Sequence, residues 1–130
     1  MHKLVSDMPE LHRQLRGHRF YPTAAELCDI PALYAQDGKG EAAIVHAHYF
    51  SSWGDWYMTE LDPQTGEAFG WACLGGDLFN AEWGYFDIVA LESHQPTRPG
   101  TLVERDLHFT PAPANKALPS GRRKLRSSED

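Results

Sequence analysis

The chain has 130 residues, 42% of them hydrophobic, which suits one folded domain and leaves too little mass for a second core. No apolar run approaches the roughly 20 residues of a membrane helix, and no secretory leader is predicted, so we expect a cytoplasmic protein with no membrane contact. In that compartment Cys28 and Cys73 are expected to be reduced thiols.

The formal net charge of −6 is unevenly distributed, with +2 on residues 1–19, −11 on residues 20–115 and +3 on residues 116–130. An acidic body repels nucleic-acid phosphates, whereas the basic cluster Arg122–Arg126 attracts them. We therefore expect weak, non-specific contact with nucleic acid, made by the tail alone.

Helical signals come first along the chain. Leu4, Met8, Leu11 and Leu15 have the spacing of one helical face, and Gly17 is placed to end that helix. A second, short helix is predicted after Thr23, because Thr-Ala-Ala-Glu is a capping-box sequence.

Strand signals dominate the middle of the chain. Residues 42–50 alternate, with His46 and His48 on one side and Val45, Ala47 and Tyr49 on the other. Further strands are predicted at 56–61, 67–74 and 83–86, and the loop at 62–66 closes a hairpin.

After these strands, Asp87 is predicted to cap one helical turn, and residues 102–109 are extended, either as an edge strand or covering one. The fold class is therefore α+β, with a small antiparallel sheet of four to five strands, N-terminal helices on one face and one short helix after the fourth strand. Residues 1–110 form this domain, and residues 111–130, rich in proline and basic residues, are predicted to be extended or disordered.

Several segments resemble a bacterial family catalogued as domain of unknown function 2958. They are 30–34, 45–50, 56–63, 68–70, 83–86 with 91–92, and Glu-Arg-Asp-Leu-His-Phe at 104–109, which is the most specific. The resemblance implies a cytoplasmic protein often associated with plasmids and other mobile elements. It implies no known reaction, so it assigns no functional residues.

The histidines are candidates for metal binding or acid–base catalysis. The pattern of a glycine, five residues and His-x-His, from Gly40 to His48, matches the start of a cupin metal motif. The next glutamate, Glu60, is too far away to complete the ligand set. We therefore predict no metal and no cofactor, and keep His46, His48 and His108 as candidates should a metal bind. Half-buried polar surface is the simpler interpretation of the pair.

Glu60 lies among aromatic residues in a predicted strand, where a carboxylate needs a partner. Glu104 and Asp106 point away from Arg105 on an extended segment, so Arg105 is predicted to face the sheet. We predict a structural Glu60–Arg105 salt bridge, with acid–base catalysis near His108 as the less favoured alternative.

Aromatic residues exceed what one core needs, and two interpretations stay open: all are core, or some form an exposed binding surface. The predicted surface consists of Trp53, Trp56, Tyr57, Glu60, Asp62, Trp83 and Tyr85. The favoured function is a non-enzymatic module that binds a protein partner, as an accessory or anti-defence factor of a mobile element. The alternative is a small metal-dependent or acid–base hydrolase using His46, His48, Glu60 and His108.

Overall fold

A computed structural model describes residues 3–120, whose main element is a five-stranded antiparallel sheet in the order β5-β4-β3-β2-β6. A second, two-stranded sheet pairs β1 with β7. The strands are β1 Ile44–Val45, β2 Ala47–Ser51, β3 Gly54–Leu61, β4 Glu67–Leu74, β5 Glu82–Asp87, β6 Glu104–Arg105 and β7 Ala112–Pro113. The helices are α1 Arg13–Arg16, α2 Ala24–Leu27, α3 Ile88–Ser93 and α4 Ala114–Ala117, and 3-10 turns span Val5–Asp7 and Gly40–Ala42. The predicted α+β class is confirmed.

Local sequence signals set most of these boundaries. β4 has the predicted bounds. The strand predicted at residues 42–50 is divided into β1 and β2, which belong to different sheets, so Val45 does not share a side with Ala47 and Tyr49 as predicted. Thr23 and Glu26 form both hydrogen bonds of the predicted capping box. Asp87 caps α3 by accepting hydrogen bonds from the N–H groups of Val89 and Ala90. The two caps and the bounds of β4 are confirmed because each depends on a few neighbouring residues.

The predicted N-terminal helix is wrong. Residues 3–17 form only a 3-10 turn and α1, and Leu11 and Leu15 are 68% and 66% exposed. The backbone N–H groups of Leu11 and His12 donate to the Glu92 carboxylate, so a tertiary contact takes donors that a longer helix would need. Gly17 does end α1, in the left-handed conformation with φ of 84°.

The sheet has a core on each face. The first core joins the N-terminal segment and α3 to the sheet, through Val5, Phe20, Tyr21, Ala47, Tyr49, Trp56, Met58, Leu61, Ala68, Ile88, Leu91 and Val103. The second is smaller and packs α4 against Val45, Tyr57, Trp71, Cys73 and Ala81. The two cysteines are not paired with each other, Cys28 being exposed and Cys73 buried.

Residues 111–130 are predicted to be extended or disordered; within the described part, Ala112–Pro113 are extended as β7, whereas Ala114–Ala117 form the helix α4. Ala112 and Pro113 pair with β1, and the Ala114 N–H donates to the Ala43 carbonyl. Ala114 and Leu118 are buried in the second core, so the folded domain extends past the predicted boundary at residue 110. Proline is tolerated in such a two-residue edge strand. The basic cluster Arg122–Arg126, with its predicted nucleic-acid contact, lies outside the described residues.

Candidate functional site

A β-bulge in β3 decides where Glu60 points. Met58 pairs with Gly70, and Glu60 pairs with Phe69, so Thr59 is an extra residue between them. Because side chains alternate along a strand, a regular strand would put Glu60 beside Met58 in the first core. The bulge turns the carboxylate to the second face instead, beside Phe69.

Close packing of the two strands at this bulge requires glycine at position 70. A Cβ atom on Gly70 would lie 1.9 Å from the Tyr57 carbonyl oxygen, so no other residue fits without moving β3 from β4. The backbone geometry that aims Glu60 is therefore fixed by a residue on the neighbouring strand.

The loop between α2 and β1 wraps around the Glu60 carboxylate. The N–H groups of Tyr34 and Gln36 donate to its two oxygens, each at 2.7 Å. Tyr34 has φ of 75°, a left-handed conformation that is strained for a bulky residue. The Gln36 amide group fixes the loop further, since it donates to the carbonyls of Ile44 and Thr59. Glu60 thus holds a strained loop against the sheet.

A cavity of about 300 Å³ opens between this loop and the second face; we call it the Glu60 pocket. Its lining residues are Gln36, Asp37, Gly38, Gly40, Ala43, Thr59, Glu60, Phe69 and Trp83. Glu60 itself is 3% exposed. Among residues 3–120, no lysine, arginine or histidine pairs with this carboxylate within 4.0 Å. The pocket therefore has an acidic wall with no cation of its own.

Two aromatic rings line the Glu60 pocket, and two tyrosines pack next to them. The rings of Phe69 and Trp83 are nearly parallel, with centroids 6.1 Å apart and an interplanar angle of 16°. Tyr85 packs edge-on against Phe69 at 5.0 Å and against Tyr34 at 6.4 Å. Tyr34 and Tyr85 are 63% and 52% exposed. A hydrogen bond with Tyr34 raises the pKa of Tyr85 to about 12, so its phenol is neutral near pH 7.

The predicted Glu60–Arg105 salt bridge is wrong. Arg105 pairs with Tyr49 across the sheet and shares its face, which is the first face, whereas the bulge puts Glu60 on the second. Arg105 donates instead to Glu26 at 2.9 Å. Burial raises the pKa of Glu26, but hydrogen bonds from the Thr23 N–H and from Arg105 outweigh burial, and the pKa is lowered.

His48 lies between two carboxylates. Its Nε2 is 2.8 Å from Asp55 Oδ1, its Nδ1 is 3.1 Å from Asp106 Oδ2, and its ring stacks on Tyr57 at 4.2 Å. Burial raises the pKa of Asp106, but hydrogen bonds from His48 and from the His108 N–H outweigh burial and lower it. Because both imidazole nitrogens have protein partners, His48 clips residues 106–108 to the sheet.

The other candidate histidines lie elsewhere. His46 lines a separate cavity of about 100 Å³ that also contacts Glu26 and Arg105, and burial lowers its pKa. The side chain of His108 is exposed. Within residues 3–120, no group of three or more His, Cys, Asp or Glu side chains is arranged to hold a metal ion. His46, His48, Glu60 and His108 therefore occupy different environments.

The predicted aromatic surface divides between core and pocket. Trp56 and Tyr57 are buried in the two cores, and the half-buried Trp53 donates its indole N–H to the Thr101 carbonyl. Asp62 belongs to the β3–β4 turn, where it accepts from the Gln64 N–H. Of the predicted set, Glu60 and Trp83 line the Glu60 pocket, and Tyr85 packs against Phe69 of that lining but itself lines a different cavity.

The family model described as a protein of unknown function (DUF2958) matches residues 24–116. The chain belongs to the DUF2958 family. No curated protein and no solved structure matches the chain. The residues of the Glu60 pocket fall inside the matched range, whereas Val5, Phe20 and Tyr21 of the first core precede it.

Sequence reasoning missed Tyr34, Gln36, Asp37 and Phe69. The available signal was the glutamate within an aromatic strand together with the glycine-rich loop at 37–40, since backbone N–H groups satisfy a buried carboxylate as well as arginine does. No helix within residues 3–120 of this DUF2958 protein is long and apolar enough to cross a membrane.

Proposed function

We propose that this DUF2958 protein is a non-enzymatic binding module whose Glu60 pocket contacts a protein partner. The observation that carries the proposal is an open pocket lined by the buried Glu60 and by Phe69, against which the exposed Tyr85 packs, with the exposed Tyr34 next to Tyr85. Tyrosine and tryptophan contribute large, rigid contact areas and are enriched where proteins bind each other. The net charge of −11 on residues 20–115 favours a basic partner.

The arrangement of the histidines supports binding over the alternative of a small hydrolase. A general base needs a nitrogen that can reach substrate, and both nitrogens of His48 are bonded to carboxylates. Glu60 lines a different cavity from His46, and none of the histidines in residues 3–120 forms an ion pair with it. The finer role, an accessory or anti-defence factor of a mobile element in a bacterial cytoplasm, rests on the family resemblance and the acidic composition.

Affinity capture from the native host, followed by mass spectrometry, tests the proposal. The bait variants are Tyr34→Ala with Tyr85→Ala, and the control is Leu74→Ala, an exposed apolar residue in β4 whose side chain does not line the Glu60 pocket. A partner retained by the wild type and by the control but lost with the double variant supports the proposal. A partner retained equally by all three baits would contradict it.

A further inference from the structure

We infer that the Glu60 pocket receives the guanidinium group of one arginine side chain from the partner, an inference that rests on the proposed function. The first reason is unused acceptor capacity. Each Glu60 oxygen accepts one backbone N–H, while a carboxylate offers about four lone-pair sites. About two acceptor sites therefore remain on a carboxylate in the pocket wall.

Charge gives the second reason. Glu60 is buried, and none of the basic side chains in residues 3–120 pairs with it. Asp37, an exposed acidic residue, also lines the pocket. Electrostatic interactions strengthen where water is displaced, so a cation entering the pocket gains more than it would at an open surface. A cationic group is the ligand that complements this wall.

Ring geometry selects arginine over lysine. Phe69 and Trp83 present nearly parallel rings in the pocket lining. A planar guanidinium stacks on aromatic faces and can donate two parallel hydrogen bonds to a carboxylate, whereas an ammonium is a strongly hydrated point charge. The same pocket that holds a carboxylate beside flat rings therefore fits the guanidinium best.

The test is an NMR titration of the full chain with three blocked pentapeptides, each with one central residue between glycines: arginine, lysine or citrulline. Citrulline keeps the shape of arginine but has no charge. We expect saturable shifts of the Gly38 and Gly40 amides and the Trp83 indole, with citrulline about ten-fold weaker or more. Equal binding of lysine or citrulline, shifts confined to other residues, or no shift at millimolar arginine peptide would overturn the inference.

Two matched variants test the electrostatic argument without disturbing the hydrogen bonds of Glu60. Asp37→Asn should lower the affinity for the arginine peptide about two- to five-fold, because one exposed negative charge is removed. Glu82→Gln, an exposed acid adjacent to Trp83 in β5 but pointing to the opposite side of the strand, should leave affinity unchanged. Equal effects of the two variants would show that only the overall charge matters, and would refute a specific pocket.

The alternative occupant of the Glu60 pocket is an arginine of the same chain, from the basic cluster Arg122–Arg126, which lies outside the described residues. Arg122→Gln with Arg123→Gln, made in the full chain, should leave the affinity for the arginine peptide unchanged. A large increase would show that the chain's own tail fills the pocket and that no partner arginine is needed. If capture of a partner still depends on Tyr34 and Tyr85 while the peptides show no preference for arginine, this inference fails and the proposed function stands.

Discussion

Arg16 connects the N-terminal segment to the rest of the fold, and its replacement is the sharpest test of how the first core is held. Its side chain is fully buried. Nε donates to the Val103 carbonyl at 2.9 Å, and one terminal nitrogen donates to the Glu92 carboxylate at 3.1 Å. The guanidinium also lies over the Phe20 ring, 4.5 Å from its centroid.

Glu92 depends on this arginine. Its carboxylate also accepts the N–H groups of Leu11 and His12, at 3.0 and 2.9 Å. Burial raises the pKa of Glu92, but these hydrogen bonds and Arg16 outweigh burial, and the pKa is lowered. Glu92 is thus a buried anion whose charge is compensated mainly by one cation.

Arg16→Met keeps most of the apolar volume and leaves that anion without its cation. Breaking a buried ion pair from one side typically costs about 3–5 kcal/mol. Because the free energy of unfolding of a domain is only about 5–15 kcal/mol, this loss should lower the urea concentration at the unfolding midpoint substantially. If the unpaired charge is the cause, adding Glu92→Gln should cost little more than Arg16→Met alone.

Urea melts followed by tryptophan fluorescence measure these differences. The matched control is Arg13→Met, whose side chain is 51% exposed and lies 3.7 Å from Glu10, so its loss should cost less than about 1 kcal/mol. If Arg16→Met is within about 1 kcal/mol of the wild type, the ion pair contributes little and the reasoning is refuted.

Three further predictions follow from the same structure. Gly70→Ala should lower the free energy of unfolding by about 3 kcal/mol or more in the same urea assay. Gly84 pairs with Gly70 across the strands and has open space around it, so Gly84→Ala should lower that free energy by about 1 kcal/mol or less. Ending the chain after Pro113 should lower the melting temperature by many degrees (about 10 or more), because Ala114 and Leu118 leave the second core; an unchanged temperature would contradict it. The free energy of unfolding should fall as pH drops below 4.5, the ordinary pKa of glutamate. The reason is that the pKa of Glu92 is lowered in the folded state, so the stabilisation by its ionised form is complete only above that pH. A urea midpoint independent of pH between about 5 and 3 would contradict this.

The sequence predicts those elements that few residues determine. The capping box at Thr23, the cap at Asp87 and the bounds of β4 each depend on a local pattern, and all three are confirmed. The spacing of Leu11 and Leu15 is equally regular, yet both are exposed, because Glu92 competes for the backbone donors of that segment. A contact about 80 residues distant in sequence leaves no local signal.

The Glu60 pocket shows the same limit at a single position. The aromatic neighbours of Glu60 predict that its carboxylate needs a partner. They do not predict to which face of the sheet the side chain points, because the extra residue Thr59 moves it to the opposite face. The sequence favours Arg105 as the partner of Glu60, because Arg105 is the basic residue of the C-terminal extended segment. Once the bulge is present, the two side chains lie on opposite faces of the sheet.

Two departures from regular geometry meet at the Glu60 carboxylate. One is the bulge at Thr59, and the other is the left-handed conformation of Tyr34, which costs about 1–3 kcal/mol for a residue with a side chain. Such strain persists only where surrounding contacts enforce it, and here Glu60 and the amide of Gln36 supply them. A salt bridge to arginine would satisfy this carboxylate without a strained loop. The arrangement instead holds the exposed Tyr34 next to the buried carboxylate that lines the pocket, and the proposed binding of a cationic side chain depends on that carboxylate.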